Sequence, residues 1–439
     1  MTNISIRFVL VVLFVVTILT YGVFVPWLGY YGDDWPGVYN SVTGGLSAMV
    51  DYQSLDRPVW GWISGVVHKV IGDRPIGWHI YAMLTRYLSA LALWFFCRQI
   101  WPKHQIESVA VALLFLVYPG ILQESRGFTF GTIWLQLALS IFSLALMVKA
   151  VRIKNYNLVV ITIAILSAGV SWNISEYFLG FELLRPFVLY LAVSGQPKRI
   201  FDKALVAVKW WSLYLGALLA YVFYRFFVFN TKRTEVDPNY FLSEIVSDPV
   251  SEIVLRMNFV IPDLIETSLL VWTRPLSPEN FSITARSTWL AWAIGTVVTA
   301  LVFYFLSNLN RKSNDKTVTV RERAIVWPWA AIIGGLIAII VGTLPIWFSN
   351  LHYVHDTGAS RYALPALLGA SLVTAGLLKL VTWNRRKFII CVSILTGMST
   401  AGHIKSSNSY RHEWADQEQL LRQFVWRVPS LEAGTIVWL

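Results

Sequence analysis

The chain reads as an all-α polytopic membrane protein with about eleven transmembrane helices and one short helix lying along the membrane surface. Three observations carry that reading. Of 439 residues, 56% are hydrophobic and only 14% are charged, against roughly 25% charged in ordinary soluble domains. Apolar runs close to the ~20 residues that cross ~30 Å of hydrocarbon recur along the whole chain, overriding the length-based expectation of about three soluble domains. Finally, basic residues concentrate in alternate connections between those runs, as topology determinants do.

The first run, Phe8 to Trp27, follows a single Arg7 and lacks a small-residue cleavage site, so it is expected to stay as an anchor. Taken with this first span at 8–28, further spans fall at 77–97, 108–120, 130–148, 157–172, 176–193, 204–229, 288–308, 325–348, 362–381 and 388–403, the third and fifth being short. Basic groups then mark every second connection: Arg98 and Lys103; Lys149, Arg152 and Lys154; Lys198, Arg199 and Lys203; Arg311, Lys312, Lys316, Arg321 and Arg323; Arg385, Arg386 and Lys387. By the positive-inside rule these face the cytoplasm, so the amino terminus is inside and the carboxy terminus outside. The outward segments are 29–76, 121–129, 173–175, 230–287, 349–361 and a tail from about 404, and they hold most of the acidic residues.

Within the first outward segment, PVWGWISGVVHKVIG (58–72) repeats apolar residues at Val59, Ile63, Val66, Val67, Val70 and Ile71. That spacing makes a one-faced helix too short to cross and suited to the headgroup plane; a tilted or re-entrant span is the alternative. The 230–287 segment carries Pro238, Pro249, Pro262, Pro275 and Pro278 and is expected to form short helices over the outer face. The division expected is a transmembrane unit over 1–403 and an extracytoplasmic tail over 404–439. A net charge of +11 does not point to nucleic acid, because no basic stripe or recognition motif accompanies it. Cys97 and Cys391 both lie in or beside apolar runs, which indicates neither a disulfide framework nor a Cys-based zinc site.

The chemistry-bearing residues gather on the outward side. GDDW (32–35) follows the first span directly; Gly32 permits a sharp exit turn, and a carboxyl at the lipid–water boundary has its pKa raised toward neutrality, as a poised base requires. Capping of a helix beginning at Pro36 is the competing role for Asp34, and it would leave Asp33 free. In DRPVW (56–60), Arg57 either neutralises an acidic neighbour or offers a guanidinium fork to a phosphate. YPGILQESRGF brings Gln123, Glu124 and Arg126 to the same side; Glu124 is a second acid that a phosphate-sugar site could use with a divalent cation, since Mg²⁺ takes only one or two carboxylates. Glu176, Tyr177, His352, His355, Asp356, Arg361 and Tyr362 add polar groups there. HYVH spaces two histidines three apart but lacks a third ligand for zinc. Arg361 directly precedes an apolar span, at the depth of a lipid phosphate, where snorkelling to phospholipid is the bland alternative. Trp35, Trp60, Trp62 and Trp78 read as an interfacial belt.

Together GDDW (32–35), DRPVW (56–60), the interfacial stretch to 72, YPGILQES (118–125) and SRYALPALLGASL (360–372) resemble the bacterial branch of the GT-C superfamily of membrane glycosyltransferases. That superfamily includes the protein O-mannosyltransferase and aminoarabinose-transferase-like families. The resemblance implies a GT-C-like helical fold in a bacterial inner membrane and a polyprenyl-phosphate-linked sugar donor. It also implies an envelope glycan, lipid or protein as acceptor, with membrane lipids as surroundings. Asp33, matching the first residue of the family's acidic pair, would act as general base, with Asp34 beside it; the sugar C1 would be inverted in one displacement. Arg57, Glu124, Glu176, Arg361 and Tyr362 form the expected substrate-binding set, Arg57 and Arg361 countering phosphate charge. The resemblance fixes no cofactor; Mg²⁺ or Mn²⁺ are the ones such a site admits, and metal ligands stay unassigned.

Two departures from that pattern stand out. Asp34 replaces the Glu often found second in the mannosyltransferase pair, which leaves donor sugar and metal need open. RQFVWRVPSLEAGTIVWL ends strand-like where relatives often continue into a globular domain, so the chain is either truncated or lacks that domain. Two other classes stay compatible with the sequence. A lipid-linked oligosaccharide flippase would use mid-span charges, for which Arg86 and Arg185 are candidates. An envelope polymerase or ligase acting on lipid diphosphates would use loop arginines such as Arg233, Arg256, Arg274 and Arg286.

Overall fold

Prolines open the helices of this chain, because a residue without an N–H and with φ already near −65° loses nothing in a first turn. In the computed structural model Pro36, Pro58, Pro75, Pro238 and Pro249 each occupy the first or second position of a helix. The structure describes residues 6–152, 158–193, 200–229, 238–278, 282, 284–309, 320–428, 430–432 and 435. Among these there is no β-strand. The strand-like ending and the basic residues Lys154, Lys198, Arg199, Arg311, Lys312 and Lys316 fall at positions the structure does not describe, apart from 435.

Fifteen α-helices are described. The first, α1 (Ile6–Thr17), continues through a π-helical turn and a 3₁₀ turn to Trp27. Two helices follow along the surface, α2 (Trp35–Ser54) and α3 (Pro58–Ile71), then α4 (Pro75–Ile100), α5 (Gln105–Leu116), α6 (Gly127–Arg152), α7 (Leu158–Ile174), α8 (Phe181–Val193) and α9 (Ile200–Phe223). The second half contains α10 (Pro238–Ser247), α11 (Pro249–Ser268), α12 (Arg286–Asn308), α13 (Val320–Phe348), α14 (Leu367–Thr382) and α15 (Arg385–Arg427).

Among the described residues eight helical stretches are long and apolar enough to cross a membrane: Ile6–Trp27, Pro75–Ile100, Gly127–Arg152, Phe201–Val228, Arg286–Asn308, Val326–Phe348, Ser360–Thr382 and Arg385–Arg427. Each coincides with an expected span. The other three expected spans are the helices α5, α7 and α8, of 12, 17 and 13 residues, so the count of eleven is not confirmed. Helix α5 is short because Pro119 and Gly120 follow it, and its residues from Ser108 to Leu116 are buried on every side. A short helix at membrane depth is tolerable when protein rather than lipid surrounds it.

The expected interfacial helix is α3, within a residue of the predicted bounds. Trp62, Val66 and Val70 are exposed along one side, whereas Gly61, Ser64 and Gly65 are buried, with Gly61 and Gly65 against α2, so its apolar side is available to lipid. The 230–287 segment contributes α10 and α11. In the bundle, α4 packs along α6, α12 along α15 and α13 along α14. Close approach of α12 and α15 rests on Gly295 and Gly397, since a Cβ on Gly295 would lie 2.6 Å from the Gly397 carbonyl; small residues let membrane helices meet backbone to backbone. The 43 residues of α15 extend about 64 Å at ~1.5 Å per residue, and the helix runs through residue 404 without a break.

Candidate active site

The segment 28–35 is a strap between the first span and α2. Gly32 has φ +48°, in the left-handed region that glycine reaches freely. A Cβ there would come within 3.1 Å of the Arg126 guanidinium carbon, so the glycine both turns the chain and admits that arginine. The strap is clamped by α15. The Tyr31 hydroxyl donates to the Tyr410 carbonyl at 2.9 Å and accepts from the Gly29 N–H at 3.0 Å. Trp414 stacks on Trp35 at 6.1 Å and occupies the space a side chain on Gly29 would need.

The two adjacent acids diverge. Asp34 is fully buried, and its Oδ1 accepts from the Thr129 N–H at 2.9 Å and the Thr129 hydroxyl at 2.8 Å. It makes no side-chain bond to its own helix, which corrects the expectation that it caps α2; it satisfies instead an orphan first-turn donor of α6. Burial pushes the Asp34 carboxyl up to about 7, with the Thr129 bonds and Arg126 opposing the rise. Asp33 keeps 49% of its side chain exposed. Its Oδ2 accepts from Arg361 Nη1 at 2.7 Å and lies 3.5 Å from Arg126 Nη1.

The two arginines lead toward different cavities. Arg361, in the 3₁₀ turn Ser360–Ala366 before α14, lines a cavity of about 670 Å³ together with Arg57, Glu176, Tyr177, Arg225 and Tyr362. Glu176 Oε1 accepts from Arg225 Nε at 2.6 Å, and Arg57 Nε lies 4.0 Å from Oε2. Arg57 also lies 3.9 Å from Asp56, so it both neutralises a neighbour and faces the cavity. Nε of Arg57 and Nε of Arg361 are buried with no hydrogen-bond partner among the described residues. The remaining wall is apolar, built from Val222, Phe226, Phe241, Leu344 and Phe348. Three guanidinium groups at one end and an apolar wall at the other suit an amphiphile with an anionic head.

Arg126, just before α6, donates to the Thr357 carbonyl at 3.0 Å, and Gln123 Nε2 holds the Thr357 and Gly358 carbonyls at 2.5 Å each. Thr357 lines a second cavity of about 460 Å³, a polar one, with Arg274, His355, His403, Lys405, Tyr410 and Glu413. Burial and the Arg274 charge push the His355 imidazole down to about 4, so it is neutral at pH 7, and its Nδ1 lies 2.8 Å from the Tyr353 hydroxyl. Asp33 therefore stands between an amphipathic cavity and a polar one, tied by an arginine toward each.

Of the predicted substrate-binding residues, Arg57, Glu176, Arg361 and Tyr362 line one cavity. Glu124 does not join them. It is a sealed partner of Arg86 Nη1 at 2.5 Å and His403 Nδ1 at 2.6 Å, and Arg86 lies 4.0 and 4.4 Å from the ring centres of Tyr21 and Trp134. Arg185 is likewise buried and paired with Glu182. HYVH is not helical: His352 stacks on Phe259 at 4.4 Å while His355 turns to Tyr353. Trp60 and Trp78 are buried core residues, correcting their reading as belt. Among the described residues no three His, Cys, Asp or Glu side chains converge as metal ligands. Asp33 and Glu176 each face arginines, so this donor set does not fit Mg²⁺ or Mn²⁺. Sequence reasoning missed Arg225, whose only signal is one basic residue in the otherwise apolar YVFYRFFVF; a π-helical turn over Tyr224–Val228 carries it, a distortion common at functional sites.

No protein-family model matches the chain, and no curated protein matches it. Among solved structures it is similar to that of ArnT from Cupriavidus metallidurans in the apo state, with 14% sequence identity and a TM-score of 0.31, over 92% of this chain and 76% of that chain.

Proposed function

We propose that this protein is an inverting glycosyltransferase of GT-C type, moving a sugar from a polyprenyl-phosphate donor to a cell-envelope acceptor on the extracytoplasmic face of a bacterial inner membrane. One observation carries the reading: Asp33 touches Arg361 at the rim of a cavity with a cationic head and an apolar wall. The donor phosphate belongs with Arg57, Arg225 and Arg361, and its isoprenoid chain with the apolar wall. Tyr362 and Glu176 flank the sugar and hold the arginines. The acceptor enters through the polar cavity on the other side of Asp33.

In the reaction, Asp33 takes the proton of the acceptor hydroxyl or amine as that atom bonds to the sugar C1. The bond from C1 to the phosphate oxygen breaks, and polyprenyl phosphate leaves with the electron pair. Charge growing on that oxygen is met by the guanidinium groups, which are already oriented and cost no reorganisation. Arg361 has a second role here: an arriving phosphate competes with Asp33 for it, so donor binding releases the carboxylate for proton transfer. Asp34 acts through position, pinning the strap to α6. In this reading residues 1–403 hold the donor, and the 404–439 segment adds Lys405, Tyr410 and Glu413 to the acceptor side.

Most of the arginines named for the rival readings are paired with acids, Arg286 excepted. Arg86 and Arg185, the mid-span charges a flippase would need, are each paired with a buried glutamate. Arg256 is held by Glu244 and Glu252, and Arg274 by Glu266, so these do not gather on Asp33 for a lipid-diphosphate polymerase; Arg233 lies outside the described residues. The decisive test is a cryo-EM reconstruction with polyprenyl phosphate bound, paired with the anomeric configuration of the product. Phosphate density among Arg57, Arg225 and Arg361 with inversion at C1 is expected. Phosphate bound elsewhere, or retention at C1, would overturn the proposal.

A further inference from the structure

A third cavity, of about 550 Å³, opens between the end of the first span, the start of α12 and the far part of α15, and shares no lining residue with the other two. Its charged wall is Arg286, the first residue of α12, and Arg411 of α15; its apolar wall is Phe24 and Leu290. Among the described residues none of its lining is acidic, and no carboxylate lies within ion-pair distance of Arg286 or Arg411. Arg411 is held ready: its Nε and Nη2 both donate to Asn408 Oδ1, at 3.2 and 3.0 Å, and its guanidinium carbon lies 5.5 Å from the Phe24 ring centre. Lys405 Nζ donates to Thr288 Oγ1 at 3.0 Å, adding positive charge behind the wall.

Two unneutralised guanidiniums beside apolar side chains match a phosphate that arrives attached to hydrocarbon. The depth agrees, since Trp27 and Trp289 at the ends of two neighbouring spans are both largely exposed, as residues of a membrane–water belt are. We infer that this cavity binds the headgroup of an anionic glycerophospholipid from the leaflet on the Asp33 side, its phosphate between Arg286 and Arg411 and its chains against Phe24 and Leu290. A free phosphate would gain nothing from the apolar wall. Bound there, the lipid joins the end of the first span, α12 and α15, the last of which clamps the strap that carries Asp33. The site is independent of the sugar-transfer reading and survives its failure.

The test uses the purified protein in phosphatidylcholine nanodiscs containing photoactivatable phosphatidylglycerol or photoactivatable phosphatidylcholine of the same chains, with cross-links mapped by mass spectrometry. At ~1 kcal/mol for each basic residue near a membrane surface, two arginines predict about a thirtyfold preference for phosphatidylglycerol at residues 24, 286–290 and 408–412, falling to about fivefold in Arg286→Gln or Arg411→Gln. The Arg286→Lys/Arg411→Lys variant should keep most of it. Equal labelling by the two lipids in the unsubstituted protein would overturn the inference, and that comparison does not depend on any variant folding. So would a preference unchanged when Arg286→Gln and Arg411→Gln are combined. Displacement of the lipid by inorganic phosphate would assign the cavity to a soluble anion instead.

Discussion

Two acids that look alike in sequence, Asp33 and Glu124, each follow an apolar run closely and each end against arginine and a helix of the second half. Their surroundings separate them. Asp33 keeps 49% of its side chain exposed between two cavities, whereas Glu124 keeps 9% and is enclosed by Arg86, His403 and aromatic rings. A carboxylate that can exchange partners can take a proton; one that is itself buried against its partners holds structure together. The distinction lies in access, which neighbouring residues in the chain do not encode.

Substitutions at the two acids give that comparison its largest test. Asp33→Asn is expected to lower the transfer rate by about 10²–10⁴-fold with an unchanged melting curve in detergent; near-normal turnover would remove Asp33 from the chemistry. Glu124→Gln should do the reverse. It leaves the Arg86 guanidinium buried without its counter-charge, for which a loss of about 3–5 kcal/mol is expected, read as a lower Tm and reduced yield, while the folded fraction keeps its specific activity. A stable but inactive Glu124→Gln protein would erase the contrast.

Smaller effects sharpen it. Arg361→Gln should cost about 10²-fold in kcat with polyprenyl-phosphate donor, and Arg361→Lys should recover only part, because an ammonium lacks the planar fork. The smallest effect concerns Asp34. Its folded value of about 7 stands above the ordinary 3.8, so between those values the folded chain keeps a proton that the unfolded chain has released. Stability therefore falls as pH rises through that window and levels off above it. Asp34→Asn keeps the acceptor for Thr129 and carries no charge, so its Tm should lose that slope, a difference on the order of 1–2 kcal/mol measured by melts from about pH 5 to pH 8.

Much of the fold was legible in the chain because its signals are local. Proline-led starts, apolar length and a one-faced repeat locate α3 and eight spanning stretches within a few residues, except at the far end of α15, which runs on to Arg427 where a span ending at 403 is expected. The third, fifth and sixth runs were harder, since an apolar run of a dozen residues looks the same whether lipid or protein surrounds it. For the site, acidic and basic residues beside spans revealed a face, and Asp33, Arg57, Glu176, Arg361 and Tyr362 meet there. Depth was not legible: Glu124 shares that side of the sequence and lies inside. Arg225 stayed hidden because a lone arginine in an apolar run reads as a snorkelling residue. The Asp34–Thr129 bond was hidden for another reason, as it joins residues 95 positions apart.

Between Arg361, which lines the first cavity, and Thr357, which lines the second, Asp33 and Arg126 form a continuous run of polar contacts. Under the proposed reaction, inhibitor chemists can use that run. A molecule joining an isoprenoid phosphonate to a polar fragment across Asp33 would occupy both chambers at once. Its affinity should then exceed that of either half through effective concentration alone.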